Sequence, residues 1–334
     1  MMEKPIVLVT GANGFIGSHI VERMANEGYS VRGLVRKNSD LSLLEGINVN
    51  LVYGDVTDAV SLASAVDGVS IVIHNAGLAS DWGPLELFMK INFEGTKNLA
   101  LAAEKAGVKR FVLLSSVAIH GFGASGMIDE NAPINTQGFH YSISKWEAEK
   151  WLMSHFKLST MEVTAIRPGN VFGPKDHTFI EKYLDIMVQG KGGYVNGGMS
   201  KTCPVYVGNL TKAIALAATH DQAVGEAFII TDGLNITWKQ FTEKLAAALG
   251  IKNPSMSIPF SIGNIIAGMM EFVYLFFNIK NAPLLTKYRM NNGGKDYYFS
   301  IDKAKRILGF VPETDLDSAI TNTITWYKGK HRIK

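Results

Sequence analysis

Three side chains in the middle of the chain are suited to proton transfer. Tyr141 and Lys145 lie four residues apart in the segment YSISK, and Ser116 follows an apolar run that predicts a strand. Residues four apart on a helix share one face, so the phenol and the ammonium would point into the same space. A nearby cation favours the phenolate and lowers a phenol pKa from its ordinary value of about 10. Tyr141 could then exchange a proton with an alcohol or a ketone while Ser116 holds the same oxygen.

A tyrosine and a lysine at this spacing also occur by chance on exposed helices, so the pair alone is weak evidence for a site. The sequence at the start of the chain strengthens it. In IVLVTGANGFIG, at residues 6–17, a β-branched and apolar run leads directly into Gly11, Gly14 and Gly17, and apolar residues then recur at helical spacing. Glycines permit a tight turn, and the free N-H groups of the following helix can bind a pyrophosphate. The segment predicts a dinucleotide site built from a strand, a turn and a helix.

Strand-like and helix-like segments alternate through the first two thirds of the chain. Strands are predicted at 31–35, 49–53, 71–74, 110–114 and 163–166, and a long helix at 85–105. Such alternation predicts a parallel sheet with helices on both faces, in which ligands bind beyond the carboxyl ends of the strands. We therefore expect an α/β fold: a doubly wound parallel sheet (Rossmann fold) with a smaller, mainly helical C-terminal substrate cap.

The alternation becomes irregular after Gly173. QGKGGYVNGGMS predicts a hairpin or loop, VYVGNL a return to the main sheet, and GEAFIIT one more strand, whereas the remaining residues are mainly helical. This pattern predicts two domains. The dinucleotide-binding domain would comprise residues 1–174 and 203–233, and the substrate-binding cap residues 175–202 and 234–334.

Composition narrows the class of protein. The chain has 334 residues, is 47% hydrophobic and carries a net charge of +3, which is ample for a large core. It has no basic stripe with interleaved aromatic residues, so nucleic acid is not an expected ligand.

Cys203 is the only cysteine, which excludes an internal disulfide and suits a reducing compartment. The residues MMEKP lead directly into the first strand, and we expect a cytoplasmic protein. The histidines lack metal-ligand spacing, so no metal is expected.

The segment at 258–279, IPFSIGNIIAGMMEFVYLFFNI, is nearly all apolar. Its length approaches the roughly 20 residues that a membrane-spanning helix needs, but Pro259, Gly263, Asn264, Gly268 and Glu271 interrupt it. These interruptions favour a buried or pocket-lining helix over membrane attachment, which stays the alternative.

The order of the motifs resembles that of a known family. TGANGFIG, GDVTD, HNAG, LLSS, YSISK and RPGNVFGP are similar, over essentially the whole chain, to the extended short-chain dehydrogenases/reductases. The turn Asp81-Trp82-Gly83 and the segment PLLTKYRM resemble the branch of 3β-hydroxysteroid dehydrogenases, sterol-4α-carboxylate dehydrogenases, dihydroflavonol reductases and 2-alkyl-3-oxoalkanoate reductases. The resemblance implies an NAD(P)-dependent enzyme acting on CH-OH groups, and a homodimer formed through the helices near 85–105 and 137–156.

The resemblance also implies residue roles. Tyr141 would be the general acid in ketone reduction or the base in alcohol oxidation, Lys145 would lower its pKa and bind the nicotinamide ribose, and Ser116 would hold the reacting oxygen. Asn92 either serves the site or packs its helix, and Asp55 either faces the adenine or forms a turn. The residues expected to contact the dinucleotide are Gly11, Asn13, Gly14, Phe15, Ile16, Gly17, Arg36, Lys37, Asp55, Val56, Ala76, Gly77, Tyr141, Lys145, Pro168, Gly169 and Val171.

The end of the second strand indicates which nicotinamide binds. An acidic residue there would bind the ribose 2′-hydroxyl of NAD, whereas an arginine can accept the 2′-phosphate of NADP. The chain has Val35, Arg36 and Lys37 with no carboxylate nearby, so we expect NADP. NAD is the alternative if Arg36 is an ordinary exposed cation.

The cap has many large apolar residues and few cations that could hold a diphosphate. A bulky hydrophobic ketone or alcohol, such as a sterol-like, polycyclic or β-oxo lipid substrate, therefore fits better than a nucleotide sugar. Candidate lining residues are His120, Phe122, Asn170, Phe172 and the apolar helix at 269–277. The alternatives are a nucleotide-sugar epimerase or dehydratase with tightly bound NAD(P), and a non-enzymatic dinucleotide-binding protein.

Overall fold

The structure, a computed structural model, describes residues 5–332. Seven strands form one parallel sheet, and six shorter strands pair outside it. The strands are β1 (Ile6–Thr10), β2 (Ser30–Val35), β3 (Asn50–Tyr53), β4 (Ile71–His74), β5 (Arg110–Leu114), β6 (Glu162–Pro168), β7 (Asn170–Phe172), β8 (Gly193–Val195), β9 (Lys201–Thr202), β10 (Pro204–Tyr206), β11 (Ala227–Ile230), β12 (Ile236–Thr237) and β13 (Met256–Ile258).

The main sheet has the order β11-β6-β5-β4-β1-β2-β3, and every neighbouring pair in it is parallel. The strand order reverses between β1 and β4, which opens a crevice above their carboxyl ends. β4 and β5 are fully buried, as strands covered by helices on both faces must be. The expected doubly wound fold is confirmed.

Helices cover both faces of the sheet and build the cap. They are α1 (Phe15–Asn26), α2 (Ala59–Val66), α3 (Leu85–Phe88), α4 (Gly95–Lys105), α5 (His140–His155), α6 (Ile180–Val188), α7 (Val207–Thr219), α8 (Trp238–Leu249), α9 (Phe260–Phe276), α10 (Lys287–Gly294), α11 (Asp302–Leu308) and α12 (Leu316–His331). On one face α1 and α7 pack against the sheet, and on the other α2, α4 and α5 do so. Both layers use aliphatic side chains at helical spacing.

The predicted long helix at 85–105 has the right ends but is not uniform. Between α3 and α4 the chain forms a π-helical segment, Met89–Glu94. A π-helical turn holds about one residue more than an α-helical turn, so the side chains of α3 and α4 face different directions than in one continuous α-helix. Such segments occur often at functional sites. Hydrophobic spacing alone does not reveal it.

The cap has its own core, formed by α6, α8 and α12. Two sequence expectations differ from the observed packing. Residues 301–310, which include α11, pack on the core of the main sheet rather than in the cap. VYVGNL does not return to the main sheet: β10 pairs with β7 in a separate two-stranded sheet, and α7 begins at Val207.

Helix α9 is not buried, so that part of the favoured expectation is wrong, but its outer side lines a shallow groove. Gly263 and Ala267 are its buried residues, whereas most of its large apolar side chains face outward. Within residues 5–332, no helix combines the length and apolar character needed to cross a membrane.

Candidate active site

The glycine turn lies between β1 and α1 at the crevice. Gly11 has a φ of +62°, which favours glycine. A Cβ atom on Gly17 would lie 2.0 Å from the carbonyl oxygen of Gly11, so only glycine allows the helix to approach the strand this closely. No side chain caps the N-terminus of α1, and its first N-H groups remain available to an anion. The turn therefore fits the pyrophosphate of a dinucleotide.

The remaining residues expected to contact the dinucleotide lie at the carboxyl ends of neighbouring strands. Asn13 donates to the carbonyl of Asp40 at 3.0 Å and joins the glycine turn to the loop after β2. Arg36 and Lys37 are exposed at the end of β2. Ala76 and Gly77 follow β4. Pro168 ends β6, and Gly169 and Val171 follow it, where the backbone of Gly169 approaches Cys203.

Asp55 has a turn role in this structure. Its Oδ1 accepts hydrogen bonds from the N-H and the hydroxyl of Thr57, both at 2.8 Å. The hydrogen bond from the Thr57 backbone is the main cause that lowers the pKa of Asp55, and Arg36 contributes through its charge. Val56 is buried beneath α4, where Asn98 binds its carbonyl oxygen.

Ser116 and Tyr141 meet at the carboxyl end of β5. Ser116 is buried, its Oγ accepts the N-H of Ala118 at 3.1 Å, and it lies within hydrogen-bonding reach of the Tyr141 phenol. The neighbouring Ser115 hydroxyl is buried without a partner among the described residues. Buried polar groups normally have partners, so this end of β5 suits a polar ligand.

Lys145 lies on the same face of α5, one turn after Tyr141. Its Nζ donates to the carbonyl oxygen of Leu114 at 2.7 Å and lies beside Gly77. Burial lowers the pKa of Lys145 to about 8, and the charge of Glu149 opposes this shift. The expected group of three side chains is thus brought together between β4 and β5.

The expected effect of Lys145 on the phenol differs in the structure. Burial raises the pKa of Tyr141 above its usual value, and the nearby Ser116 hydroxyl only partly opposes the shift. Removal of water disfavours the phenolate more than the surrounding groups favour it. Tyr141 is therefore protonated at neutral pH and is suited to donate a proton.

Asn92 holds α5 against the loop after β4. Its Oδ1 accepts the N-H of Leu78 at 2.7 Å, and its Nδ2 donates to the hydroxyl of Ser144 at 2.9 Å. Ser144 in turn donates to the carbonyl of Tyr141 at 2.9 Å. These contacts give Asn92 a role in packing and backbone binding, and they fix the start of α5, which carries Tyr141.

A buried hydrogen-bonded chain that sequence reasoning missed runs behind this contact. Thr96 donates to the carbonyl of Asn92 at 2.6 Å, so its oxygen accepts from His74 Nε2 at 3.0 Å. The other ring nitrogen of His74 then accepts from Thr10, 2.8 Å away, and Thr10 also binds the N-H of Ala76. Burial lowers the pKa of His74 to about 3, so the ring is neutral. The chain ties β1 and β4 to the π-helical segment. The one sequence feature that could have indicated these hydrogen bonds is the HNAG motif, which contains His74.

An aromatic cluster adjoins Tyr141. Phe122 contacts Tyr297 and Tyr288 with ring centroids 4.6 and 5.2 Å apart, and Phe139 contacts Tyr288 at 5.1 Å. Burial raises the pKa of Tyr288 well above its usual value, and the nearby Tyr141 adds to the shift. This cluster places apolar and aromatic surface beside the phenol. Of its members, sequence reasoning had selected Phe122 alone.

Asp81 joins the loop after β4 to the segment that carries Tyr288. Its carboxylate accepts from the Thr286 hydroxyl at 2.6 Å and pairs with Arg289, whose Nε lies 2.7 Å from Oδ2. The two motifs that resembled one branch of the family, Asp81-Trp82-Gly83 and PLLTKYRM, therefore bind each other. Together they place α10 beside the aromatic cluster.

The other candidate substrate residues have different surroundings. Phe172 has no exposed surface and packs against Phe241 and Tyr206 in the core of the cap, so it cannot line a cleft as expected. Asn170 bonds Thr202 and Asn292 across the cap boundary.

His120 is buried beside an ion pair. Its Nε2 accepts from Arg167 at 3.2 Å, and Arg167 pairs with the buried carboxylate of Glu149. His120 also lines a cavity of about 680 Å³, and the other lining residues lie largely at 124–135 and 300–306. His120 therefore packs beside the site, and the contacts give it no direct link to Tyr141.

Comparisons with known proteins agree with this geometry. Residues 7–231 match the sequence model of the NAD dependent epimerase/dehydratase family. The chain is 32% identical to a Mycobacterium tuberculosis 3 beta-hydroxysteroid dehydrogenase/Delta 5-->4-isomerase, over 96% of this chain and 90% of the relative. It is 26% identical to a 2-alkyl-3-oxoalkanoate reductase of Stenotrophomonas maltophilia, over 94% and 97%. The crystal structure of gox2253 superposes with a TM-score of 0.84 at 31% identity and covers 99% of this chain and all of its own.

The chain belongs to the NAD dependent epimerase/dehydratase family. It is an NAD(P)-dependent oxidoreductase that acts on CH-OH groups, as the glycine turn and its relatives indicate. The expected branch of the family is confirmed by the same relatives.

Proposed function

We propose that this protein reduces the ketone of a bulky hydrophobic substrate with NADPH. The observation that carries the proposal is the position of Tyr141, which lies within reach of Ser116 and beside the aromatic cluster. A protonated phenol and a serine hydroxyl would bind the same carbonyl oxygen. The dinucleotide supplies the hydride when bound.

The direction of the proton fits reduction. Hydride addition turns the carbonyl oxygen into an alkoxide, which must receive a proton. Tyr141 would donate its phenolic proton to that oxygen, while Ser116 stabilises the developing charge. The raised pKa of Tyr141 keeps this proton available at neutral pH. Lys145, held by Leu114 beside Gly77, would bind the nicotinamide ribose.

The surroundings of the phenol support a hydrophobic substrate. The partly exposed rings of Phe139 and Tyr288, which pack on the buried Phe122 and Tyr297, offer apolar and aromatic contacts rather than the cations that a sugar diphosphate needs. Relatives named for 3β-hydroxysteroids, for sterol-4α-carboxylates and for 2-alkyl-3-oxoalkanoates support a sterol-like or β-oxo lipid ketone. NADP is preferred in this proposal because two exposed cations, Arg36 and Lys37, follow β2, and an arginine at this position can accept a 2′-phosphate.

The proposal is tested by mixing purified protein with NADPH and individual ketones of the steroid, flavonoid and β-oxo lipid classes. Absorbance of the reduced cofactor is followed, and the released dinucleotide is quantified. We expect stoichiometric NADP⁺ with at least one hydrophobic ketone. Interconversion of a UDP-sugar with no net cofactor oxidation would instead assign an epimerase.

A further inference from the structure

Helix α9 presents a continuous apolar surface to the outside of the molecule. Exposed side chains at helical spacing form one stripe that ends at the residue after the helix. This α9 apolar face comprises Ile262, Ile265, Met269, Phe272, Phe276 and Phe277. Phe272 and Phe276 are 70% and 73% exposed. Contiguous apolar surface of this kind marks an interaction site.

The opposite side of α9 is fixed to the rest of the protein. The ring of Tyr274 contacts Trp82 with centroids 6.2 Å apart, and the Trp82 indole donates to the carbonyl of Ile279 at 3.3 Å. Glu271 accepts the backbone N-H of Lys287 at 2.7 Å. The helix is therefore held from behind, and its apolar face is a fixed outer surface.

Positive charge borders the α9 apolar face. The Lys287 side chain lies beside Gly268 and, with Ile265 and Phe272, lines a shallow groove. Lys280 follows the helix and is exposed. Within residues 5–332, neither lysine forms an ion pair, and Glu271 is directed at the start of α10. An apolar stripe with uncompensated cations at its edge complements anionic lipid headgroups above acyl chains.

We propose that the α9 apolar face docks the protein on an anionic lipid bilayer. The helix has 17 residues and is roughly 26 Å long at about 1.5 Å per residue. It would lie along the interface, with its phenylalanines among the acyl chains and Lys280 and Lys287 at the headgroups. A second copy fits less well, because a two-fold axis near the middle of α9 would bring together the two copies of Lys287, whose side chain lies beside Gly268.

The location of the face has a consequence for the proposed ketone reduction, and this step rests on that proposal. The loop that contacts the back of α9 through Trp82 also carries Asp81, which binds the α10 segment beside the aromatic cluster. Docking through α9 would therefore place the bilayer next to the loop and the α10 segment that adjoin the aromatic cluster beside Tyr141.

The test is co-sedimentation of the full chain with vesicles of phosphatidylcholine alone or mixed with phosphatidylglycerol. We expect binding to the mixed vesicles, and a loss of roughly tenfold or more in the partition coefficient for the double variant Phe272→Ser/Phe276→Ser. Lys280→Glu/Lys287→Glu should weaken binding to the mixed vesicles only. Leu158→Ser, at a side chain that is 96% exposed elsewhere, is the matched control and should bind as the wild type does.

Thermal unfolding midpoints equal to that of the wild type would show that the variants fold. The proposal is overturned if the wild type binds neither type of vesicle. It is also overturned if Phe272→Ser/Phe276→Ser binds the mixed vesicles as tightly as the wild type does. A wild-type dimer that the phenylalanine variant splits, with no vesicle binding, assigns the face to a second copy and also overturns it. Ketone turnover does not enter this readout, so failure of the proposed reaction would be seen separately.

Discussion

The guanidinium of Arg289 is paired with the carboxylate of Asp81, Nε to Oδ2, at 2.7 Å. The pair connects the loop after β4 to the α10 segment, in which Tyr288 follows Lys287 and packs on Phe139. This contact places part of the aromatic cluster against the start of α5, the helix that carries Tyr141.

Asp81→Asn should therefore impair binding of the hydrophobic ketone. The amide keeps the shape of the carboxylate but loses the charge that holds Arg289, and α10 becomes less firmly placed. We expect KM for the ketone to rise roughly two- to fivefold, since Arg289 is half exposed and such pairs contribute up to about 1 kcal/mol, with the dissociation constant of NADPH unchanged. Steady-state kinetics and cofactor fluorescence measure the two quantities. Asp317→Asn is the control, because its exposed pair with Lys244 joins α12 to α8. A rise confined to the cofactor constant would refute this role.

Arg36→Ala should weaken NADPH binding more than NADH binding. A 2′-phosphate loses a charged hydrogen-bonding partner, whereas a 2′-hydroxyl loses little. We expect the ratio of the KM values for NADH and NADPH to fall roughly tenfold or more, since a charged hydrogen bond contributes about 1.5 to 3 kcal/mol. Lys157→Ala, at an exposed lysine just after α5, is the control. An unchanged ratio in Arg36→Ala would remove the basis for NADP.

The decline of activity at high pH should follow the deprotonation of Lys145. Its pKa is lowered to about 8, first by burial, with Glu149 opposing the shift. We expect kcat/KM for the cofactor to decline as the pH rises above about 8, because the ammonium is lost. Glu149→Gln removes the negative charge and should move this decline to lower pH. Glu147→Gln, on the same helix, is the control, and folding of both variants is checked because Glu149→Gln leaves the buried Arg167 without its partner. An alkaline limb at the same pH in all three proteins would contradict the assignment.

His74 should make the fold sensitive to acid. Its pKa is lowered to about 3, mainly by burial, whereas in the unfolded chain it is about 6.5. As the pH falls from about 6.5 toward 3, the unfolded state binds a proton that the folded state excludes, and stability is lost at about 1.4 kcal/mol per pH unit.

The measurement is urea unfolding of wild type and His74→Gln from neutral to acidic pH. The variant should be less stable at pH 7, where the wild type keeps the hydrogen bonds that link Thr10 to Asn92 through His74. The difference in the free energy of unfolding between the two proteins should shrink as the pH falls. Exposed His155 provides the control, since His155→Gln should follow the wild type throughout. A difference independent of pH would exclude a buried neutral His74.

The sequence predicted the elements that depend on short-range pattern. The strands at 71–74 and 110–114 match β4 and β5 to the residue, because apolar runs bounded by turn residues define buried parallel strands. Ser116, Tyr141 and Lys145 could be placed because each follows from a strand end or from helical spacing.

What the sequence did not predict depends on long-range contacts. The π-helical segment forms where Asn92 and Thr96 meet Leu78 and His74, and no local pattern encodes that meeting. The apolar run at 260–276 predicts a helix but not which surface covers it, so its exposure could not be foreseen. The phenol pKa was predicted in the wrong direction because spacing describes charge and not burial.

The most direct test of the central claim compares Tyr141→Phe with Tyr29→Phe. Both substitutions remove one phenolic oxygen, but Tyr29 precedes β2 at the opposite end of the sheet. With NADPH and a hydrophobic ketone that the wild type reduces, kcat/KM should fall roughly 10²- to 10⁴-fold in Tyr141→Phe and stay at the wild-type value in Tyr29→Phe, with NADPH affinity retained by both. Wild-type turnover by a folded, cofactor-binding Tyr141→Phe protein would contradict the account.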